Sequence, residues 1–417
     1  MSVPARLKRY FEPDAPTQQL ARRLRAEGYR SYLVGGSVRD AFLDRAAPDH
    51  DVDITTDARP DAVERLVKGW ADAVWLQGRR FGTVGCEKDG ERFEITTLRA
   101  DVYRPESRKP EVSYSDDIET DLSRRDFTVN AIAMSLDDPD LVDPFGGLAD
   151  LAARRLRTPL APEVSFEDDP LRMLRAARFA AVLGFEPDTE VVAAIERMRE
   201  RLRIVSAERI RDELSKLLLA DDPSPGLWMI STTGLSDEFL PELNAMRLEQ
   251  DPIHRHKDVL AHTIAVVQKT SPDKILRLAA LLHDVGKPKT RSFAAGGRVT
   301  FHHHEVVGAR MTRERLQALR YPSDEVEAVT RLVELHLRFH TYRMGWTDSA
   351  VRRYVRDAGP LLDRLNELTR CDCTTRNPKK AEALARRMDQ LEARIDELRQ
   401  QEELAAIRPD LDGRQVM

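Results

Sequence analysis

At 417 residues the chain is long enough for two or more domains, each with a sizeable core. Charged residues make up 33% of it and the formal net charge is −5, which excludes a globally basic nucleic-acid binder but leaves room for a local basic face. Three cysteines, Cys86, Cys371 and Cys373, exclude a disulfide framework, and no apolar run reaches the roughly 18 residues that a membrane helix needs.

The N-terminus is basic and lacks the apolar stretch of a signal peptide, so the cytoplasm is the default location. Residues 1 to about 28 read as helix, with Leu7, Leu20 and Leu24 on one side. Strand-like runs follow at 30–34, 51–56, 73–76, 82–87, 91–98 and 130–135, with helices at 37–44 and 59–69. Asp89-Gly90 between two of these runs predicts a tight hairpin.

The stretch 35–53, GGSVRDAFLDRAAPDHDVD, carries the densest chemistry. Alternate residues of a strand share a face, so Asp51 and Asp53 point the same way with Val52 buried behind them. Two carboxylates on one face form a hard oxygen site suited to Mg²⁺. Gly35 and Gly36 let backbone N–H groups approach an anion, and Arg39 adds a forked phosphate ligand. A phosphate cradle beside a metal site points to a nucleoside triphosphate and to phosphoryl or nucleotidyl transfer. Asp49 is a competing carboxylate in the same loop.

Beyond residue 165 the pattern becomes helical, with a Pro/Gly-rich joint at 221–226. Pro170 with acids ahead of it marks a helix start, after which Arg172, Arg175 and Arg178 form a basic stripe. Three arginines without interleaved acids repel one another unless an anion is present. The stretch 251–375 holds most of the histidines. Cys371-Asp372-Cys373 is too tightly spaced for a zinc knuckle. Over 380–407 a charged helix shows a heptad-like seam of Leu384, Met388, Leu391, Ile395 and Leu398, which either docks within the chain or pairs with another helix; its shortness favours docking.

Together these strings resemble the class II tRNA nucleotidyltransferase and bacterial poly(A) polymerase family, within the polymerase-beta nucleotidyltransferase superfamily. Gly35, Gly36, Val38, Arg39, Asp40, Asp51 and Asp53 match its first motif, with a loop before Asp51 longer by about two residues. Arg124-Arg125-Asp126-Phe127-Thr128-Val129-Asn130-Ala131 matches the second motif along its length. The resemblance implies that Arg125 and Asp126, with Arg124 and Asn130 in support, contact ribose and phosphates. It also implies a third carboxylate, for which Glu94 is the candidate; the bland alternative pairs Glu94 with Arg92 or Arg99. Asp143-Pro144-Phe145-Gly146-Gly147 resembles the third motif, a hinge, and equally fits a plain turn. In the fourth, an acid and an arginine read the incoming base, and Asp169 and Arg172 match that pair, with Arg175 and Arg178 beside the nucleotide and Asp168 in place of the usual Glu. Ser206-Ala207-Glu208-Arg209 resembles the fifth, a structural support.

The order His262, His283-Asp284, His304, His336, Asp372 resembles the HD phosphohydrolase superfamily. That implies one or two divalent ions of the Mn, Fe, Ni, Co or Zn kind and metal-assisted phosphoester hydrolysis, with a purely structural use of a degenerate site as the rival.

The fold implied is α+β: a nucleotidyltransferase head with a small mixed sheet (1–150), a helical neck (151–230), an HD-type helical domain (231–378) and a charged C-terminal helix (379–417). The activity implied is template-independent addition of C, C and A to tRNA 3′ ends from CTP and ATP. Asp51, Asp53 and Glu94 would hold Mg²⁺ around the triphosphate, and tRNA would be gripped through its phosphates. Poly(A) polymerase shares these motifs. An alternative of another class makes HD hydrolysis the main activity and the head a nucleotide-binding module. Relatives continue into a further helical tail, so the ending at Arg414–Met417 implies a shortened form.

Overall fold

The computed structural model describes residues 3–45, 51–99, 102–104, 107–111, 113–248, 258–293, 299–340, 345–373 and 378–406. Asp49 lies outside them. The chain packs as two compact units, Met1–Val205 and Ser206–Met417. The division is coarser than the four segments expected, and its boundary falls inside the expected neck.

The first unit opens with a 3-10 turn, Ala5–Phe11, and helix α1 (Pro16–Ala26). Leu7, Leu20 and Leu24 are fully buried, as the sequence pattern requires. There follow β1 (Ser31–Val34), α2 (Gly36–Phe42), β2 (Val52–Thr56), α3 (Pro60–Val67), β3 (Ala73–Trp75), β4 (Thr83–Lys88) and β5 (Glu91–Thr97). A hairpin of β6 (Val102–Arg104) and β7 (Ser107–Glu111) precedes α4 (Ile118–Ser123), β8 (Ala133–Ser135) and β9 (Leu141–Val142). Seven strands form one mixed sheet in the order β3-β4-β5-β2-β1-β8-β9. Only β2 and β5 run parallel; the other neighbours are antiparallel. Pairing of Lys88 with Glu91 closes the expected hairpin over Asp89-Gly90.

Beyond the sheet come α5 (Gly147–Ala153), β10 (Arg155–Leu156), α6 (Pro162–Asp168), α7 (Leu171–Leu183), β11 (Glu186–Pro187) and α8 (Thr189–Met198). The Asp143–Gly147 string acts as a turn: Asp143 accepts the backbone N–H groups of Gly147 (2.6 Å) and Leu148 (2.9 Å), capping α5.

The second unit is almost wholly helical: α9 (Ala207–Leu218), α10 (Ser224–Thr232), α11 (Pro241–Ala245), α12 (Val259–Lys269), α13 (Lys274–Leu282), α14 (Lys287–Thr290), the hairpin of β12 (Arg291–Phe293) and β13 (Val299–Phe301), α15 (His304–Ala318), α16 (Ser323–Leu335), α17 (Asp348–Ala358), α18 (Leu362–Asp372) and α19 (Pro378–Ala406). Ser206 stands at the N-cap of α9 but makes no side-chain capping bond. The seam of α19 docks within the unit, against α17 and α18, burying Met388, Leu391, Ile395 and Leu398. Among the described residues no helix is long and apolar enough to cross a membrane.

Candidate active site

Strand β2 carries Asp53 between the buried Val52 and Ile54, and Asp51 stands immediately before it. The parallel register sets Asp53 opposite Glu94 on β5, so both carboxylates rise on one face. They open into a cavity of about 220 Å³ lined by Val34, Asp53, Ile54, Glu94, Thr96, Arg99, Arg124 and Arg125. Partial burial, and then the negative charges of Asp53 and Asp51, push the Glu94 carboxyl up. That is the electrostatic mark of acids gathered where a cation would relieve them. Gly35, between β1 and α2, has φ 71°, a conformation that disfavours side chains. A Cβ there would stand 3.3 Å from both Asp53 Oδ2 and Arg125 Nη1, so the glycine keeps the floor of the cavity clear. At Gly36 the nearest atom to such a Cβ is Arg39 Nη2, at 3.7 Å.

The cavity's arginines are fixed by a carboxylate the sequence reading passed over. Asp121, on α4, is fully buried. Its Oδ1 accepts Arg124 Nε (3.1 Å) and Nη2 (2.6 Å), and its Oδ2 accepts Arg125 Nη2 (3.3 Å). The backbone N–H of Arg99 also donates to it, at 3.3 Å. Burial pushes Asp121 up, but the charges of Arg124 and Arg125 outweigh it and hold the acid below its ordinary range.

Arg39, expected as a phosphate fork, has protein partners of its own. Its Nε and Nη2 donate to Asp40 (2.8 and 2.9 Å) and its Nη1 to Asn130 (2.7 Å), in a buried setting over the Phe179 ring. Asn130 in turn donates to Asp126. Arg39 therefore braces the second motif.

The arginine stripe of α7 is also differently supported than expected. Arg172 is buried; Nη1 donates to Ser165 O (3.2 Å) and Oγ (2.9 Å), and Nη2 to the Arg124 carbonyl. Arg175 grips Asp126 Oδ2 through Nε (2.9 Å) and Nη2 (2.5 Å). Arg178 stacks on Phe179, 4.0 Å from the ring centroid. Main-chain carbonyls and a distant acid thus offset the repulsion that the sequence assigned to a bound anion. Burial raises Asp126, but Arg175, then the hydrogen bonds from Asn130 and Arg175, hold it well below the usual carboxylate range. Asp169 accepts the Leu171 N–H (3.2 Å), so it stands just ahead of the helix whose first turn carries Arg172.

In the second unit all six expected metal ligands converge. Ligand atoms of His262, His283 and Asp284 lie within 4.8 Å of one another, as do those of Asp284, His304 and His336, so Asp284 belongs to both sets. Asp372, at the end of α18, meets His262 Nε2 at 2.9 Å. His283, His304 and His336 each turn Nδ1 toward a backbone carbonyl, of Ala280 (2.7 Å), Phe301 (2.8 Å) and Val333 (2.6 Å). That arrangement directs Nε2 inward as a ligand atom. His304 Nε2 is buried and points at Asp284 Oδ1, 3.4 Å away, without a well-formed hydrogen bond, a position that a cation shared by the two would suit. Close approach of α15 depends on Gly286, where a Cβ would meet the His304 carbonyl at 2.2 Å. Burial lowers both imidazoles; at His283 the carboxylates of Asp284 and Asp372 reverse the direction, whereas His336 is pushed down further by His283. Two neighbours were unassigned by sequence: Lys287 Nζ, 2.6 Å from Asp284 Oδ2, and His340 Nε2, 3.9 Å from Asp372 Oδ2.

Known proteins resemble this chain over most of its length. An A-adding tRNA nucleotidyltransferase of Deinococcus radiodurans is 34% identical over 406 residues, covering 92% of this chain and 86% of its own. The chain belongs to the tRNA nucleotidyltransferase family. Within it, residues 31–157 match the Poly A polymerase head domain, 184–247 the "Probable RNA and SrmB- binding site of polymerase A", and 259–395 the HD domain. A CCA-adding enzyme of Levilactobacillus brevis is 41% identical over 226 residues, 54% of each chain. The chain thus spans about half the length of several CCA-adding relatives that it matches. The crystal structure of the Bacillus stearothermophilus CCA-adding enzyme in complex with CTP superposes with a TM-score of 0.65 at 25% identity, covering 91% of this chain and 83% of that one.

Proposed function

We propose that this protein extends tRNA 3′ ends by untemplated nucleotidyl transfer, adding C, C and A from CTP and ATP. One observation carries the reading: Asp53 and Glu94 stand side by side on parallel strands, with Asp51 adjacent, facing a cavity whose remaining charged groups are arginines. The acids fit Mg²⁺, a hard cation that prefers oxygen ligands and substrate phosphates. Bound there, it supplies positive charge that favours ionisation of a primer 3′-hydroxyl and offsets charge on the triphosphate.

The chain's own residues do the rest. Arg124 and Arg125 present guanidiniums to phosphate oxygens, Asp126 and Asn130 form the ribose side, and Asp169 with Arg172 offers an acceptor and donors to the edge of a base. Arg175 ties α7 to Asp126, and Arg178 stands one turn on, stacked on Phe179 of the same helix. Positioning and charge, with no covalent intermediate on the protein, account for the catalysis. In the second unit the histidine cluster fits a transition metal, and its chemistry is phosphoester hydrolysis.

A narrower activity, addition of the terminal A alone, is favoured by the relative aligned along 92% of the chain, which is an A-adding enzyme. Two primers separate the readings: tRNA lacking CCA and tRNA ending in CC, each with CTP and ATP. Extension of both supports CCA addition, and extension of the second alone supports A addition. Long A-tails on unstructured RNA would indicate a poly(A) polymerase instead.

A further inference from the structure

Arg99, Arg124 and Arg125 line the same small cavity as Asp53 and Glu94. Left to itself, a guanidinium in such a space closes on the nearest carboxylate, and a carboxylate so paired is a poorer ligand for a cation. Asp121 holds two of the three, Arg124 and Arg125, while the Arg99 guanidinium donates to the Phe81 carbonyl. Asp121 takes hold of Arg124 through two nitrogens and of Arg125 through one, from a fully buried position on α4. It also accepts the Arg99 N–H at the end of the strand that carries Glu94. One buried acid therefore references the two arginines to the strand bearing a candidate catalytic carboxylate. The Arg124 carbonyl accepts Arg172, so the first turn of α7 is tied to the same point.

We propose that Asp121 is a positioning residue for nucleotide addition: it holds Arg124 and Arg125 ready for triphosphate oxygens and keeps them off the metal-holding carboxylates Asp53 and Glu94. The inference rests on the nucleotidyl-transfer reading. It assigns Asp121 no contact with substrate. Its effect passes through the two arginines, and its signature is a changed demand for magnesium.

The test uses the full chain and Asp121→Asn, which keeps shape and removes charge. CTP binding is measured by equilibrium dialysis across a Mg²⁺ series, with melting temperature and circular dichroism as controls for folding. The Mg²⁺ concentration giving half-maximal CTP binding is expected to rise by about tenfold or more, the usual scale for losing a residue that orients a metal site from outside. KM for CTP rises in parallel. An unchanged Mg²⁺ demand in the folded variant overturns the proposal and leaves Asp121 a stability residue. Arg125→Gln provides a check that does not need the first variant to fold. CTP binding should weaken with no fall in Mg²⁺ demand, because on this proposal Asp121 already keeps the native guanidinium from competing for Asp53. A lowered demand would mean that Arg125 competes with the cation in the native protein, against the proposal. Failure of the unsubstituted protein to extend tRNA would instead overturn the nucleotidyl-transfer reading.

Discussion

The head cavity and the histidine cluster gather ligands in opposite ways. In the head, carboxylates on one sheet face share a cavity with arginines. In the second unit, four imidazoles and two carboxylates meet, with His283, Asp284 and His336 almost wholly buried and three rings aimed by backbone carbonyls. The first offers oxygen donors beside cationic side chains, the second a nitrogen-rich set of donors brought together by the fold. The difference teaches that metal preference follows donor chemistry, while dependence on substrate follows exposure.

Substitutions can break this contrast, beginning with the largest effect. Asp53→Ala should reduce nucleotide addition by about three orders of magnitude, since several kcal/mol of charge stabilisation is lost. Metal content of the histidine cluster, read by elemental analysis, should not change. Loss of both together would mean that the sites are not separate. His283→Ala should lower transition-metal affinity by about a hundredfold while nucleotide addition stays within about twofold. Arg172→Lys keeps the charge but loses the fork. Competition assays should show discrimination of CTP and ATP against UTP and GTP falling by about ten- to a hundredfold, the range for one paired-donor contact.

A smaller effect concerns pH. Asp126 is held below the ordinary aspartate value of 3.8, so its stabilising contribution is complete above that pH and is lost as pH falls through the lower folded value. Asp126→Asn should therefore melt at a lower temperature than the unsubstituted protein at neutral pH. The gap should close as the solution is taken well below pH 3.8. A gap independent of pH would locate the stabilisation in packing.

Much of the head was readable because its chemistry is local. Asp53 lies on the strand that its neighbours Val52 and Ile54 announce, with Asp51 just before it, and Asp89-Gly90 announces its hairpin. The histidine set was legible only as an order along the chain; its convergence needed helices packed from residue 262 to 372. Two readings left out protein partners for a shared physical reason. Arg39 and the α7 arginines were assigned to anions because their partners are invisible in local sequence: Asn130 lies 91 residues from Arg39, Asp126 lies 49 from Arg175, and the partners of Arg172 include backbone carbonyls. Asp121 carried a signal that was not used. An acid three and four residues before Arg124 and Arg125 has the spacing of helix-face ion pairs.

The most direct measurement is a crystal structure with CTP and Mn²⁺, using anomalous scattering to locate the ion. The account predicts the triphosphate in the head cavity, an ion beside Asp51 and Asp53, and the cytosine edge facing Asp169 and Arg172. A nucleotide bound elsewhere, with no ion at those two aspartates, would contradict it.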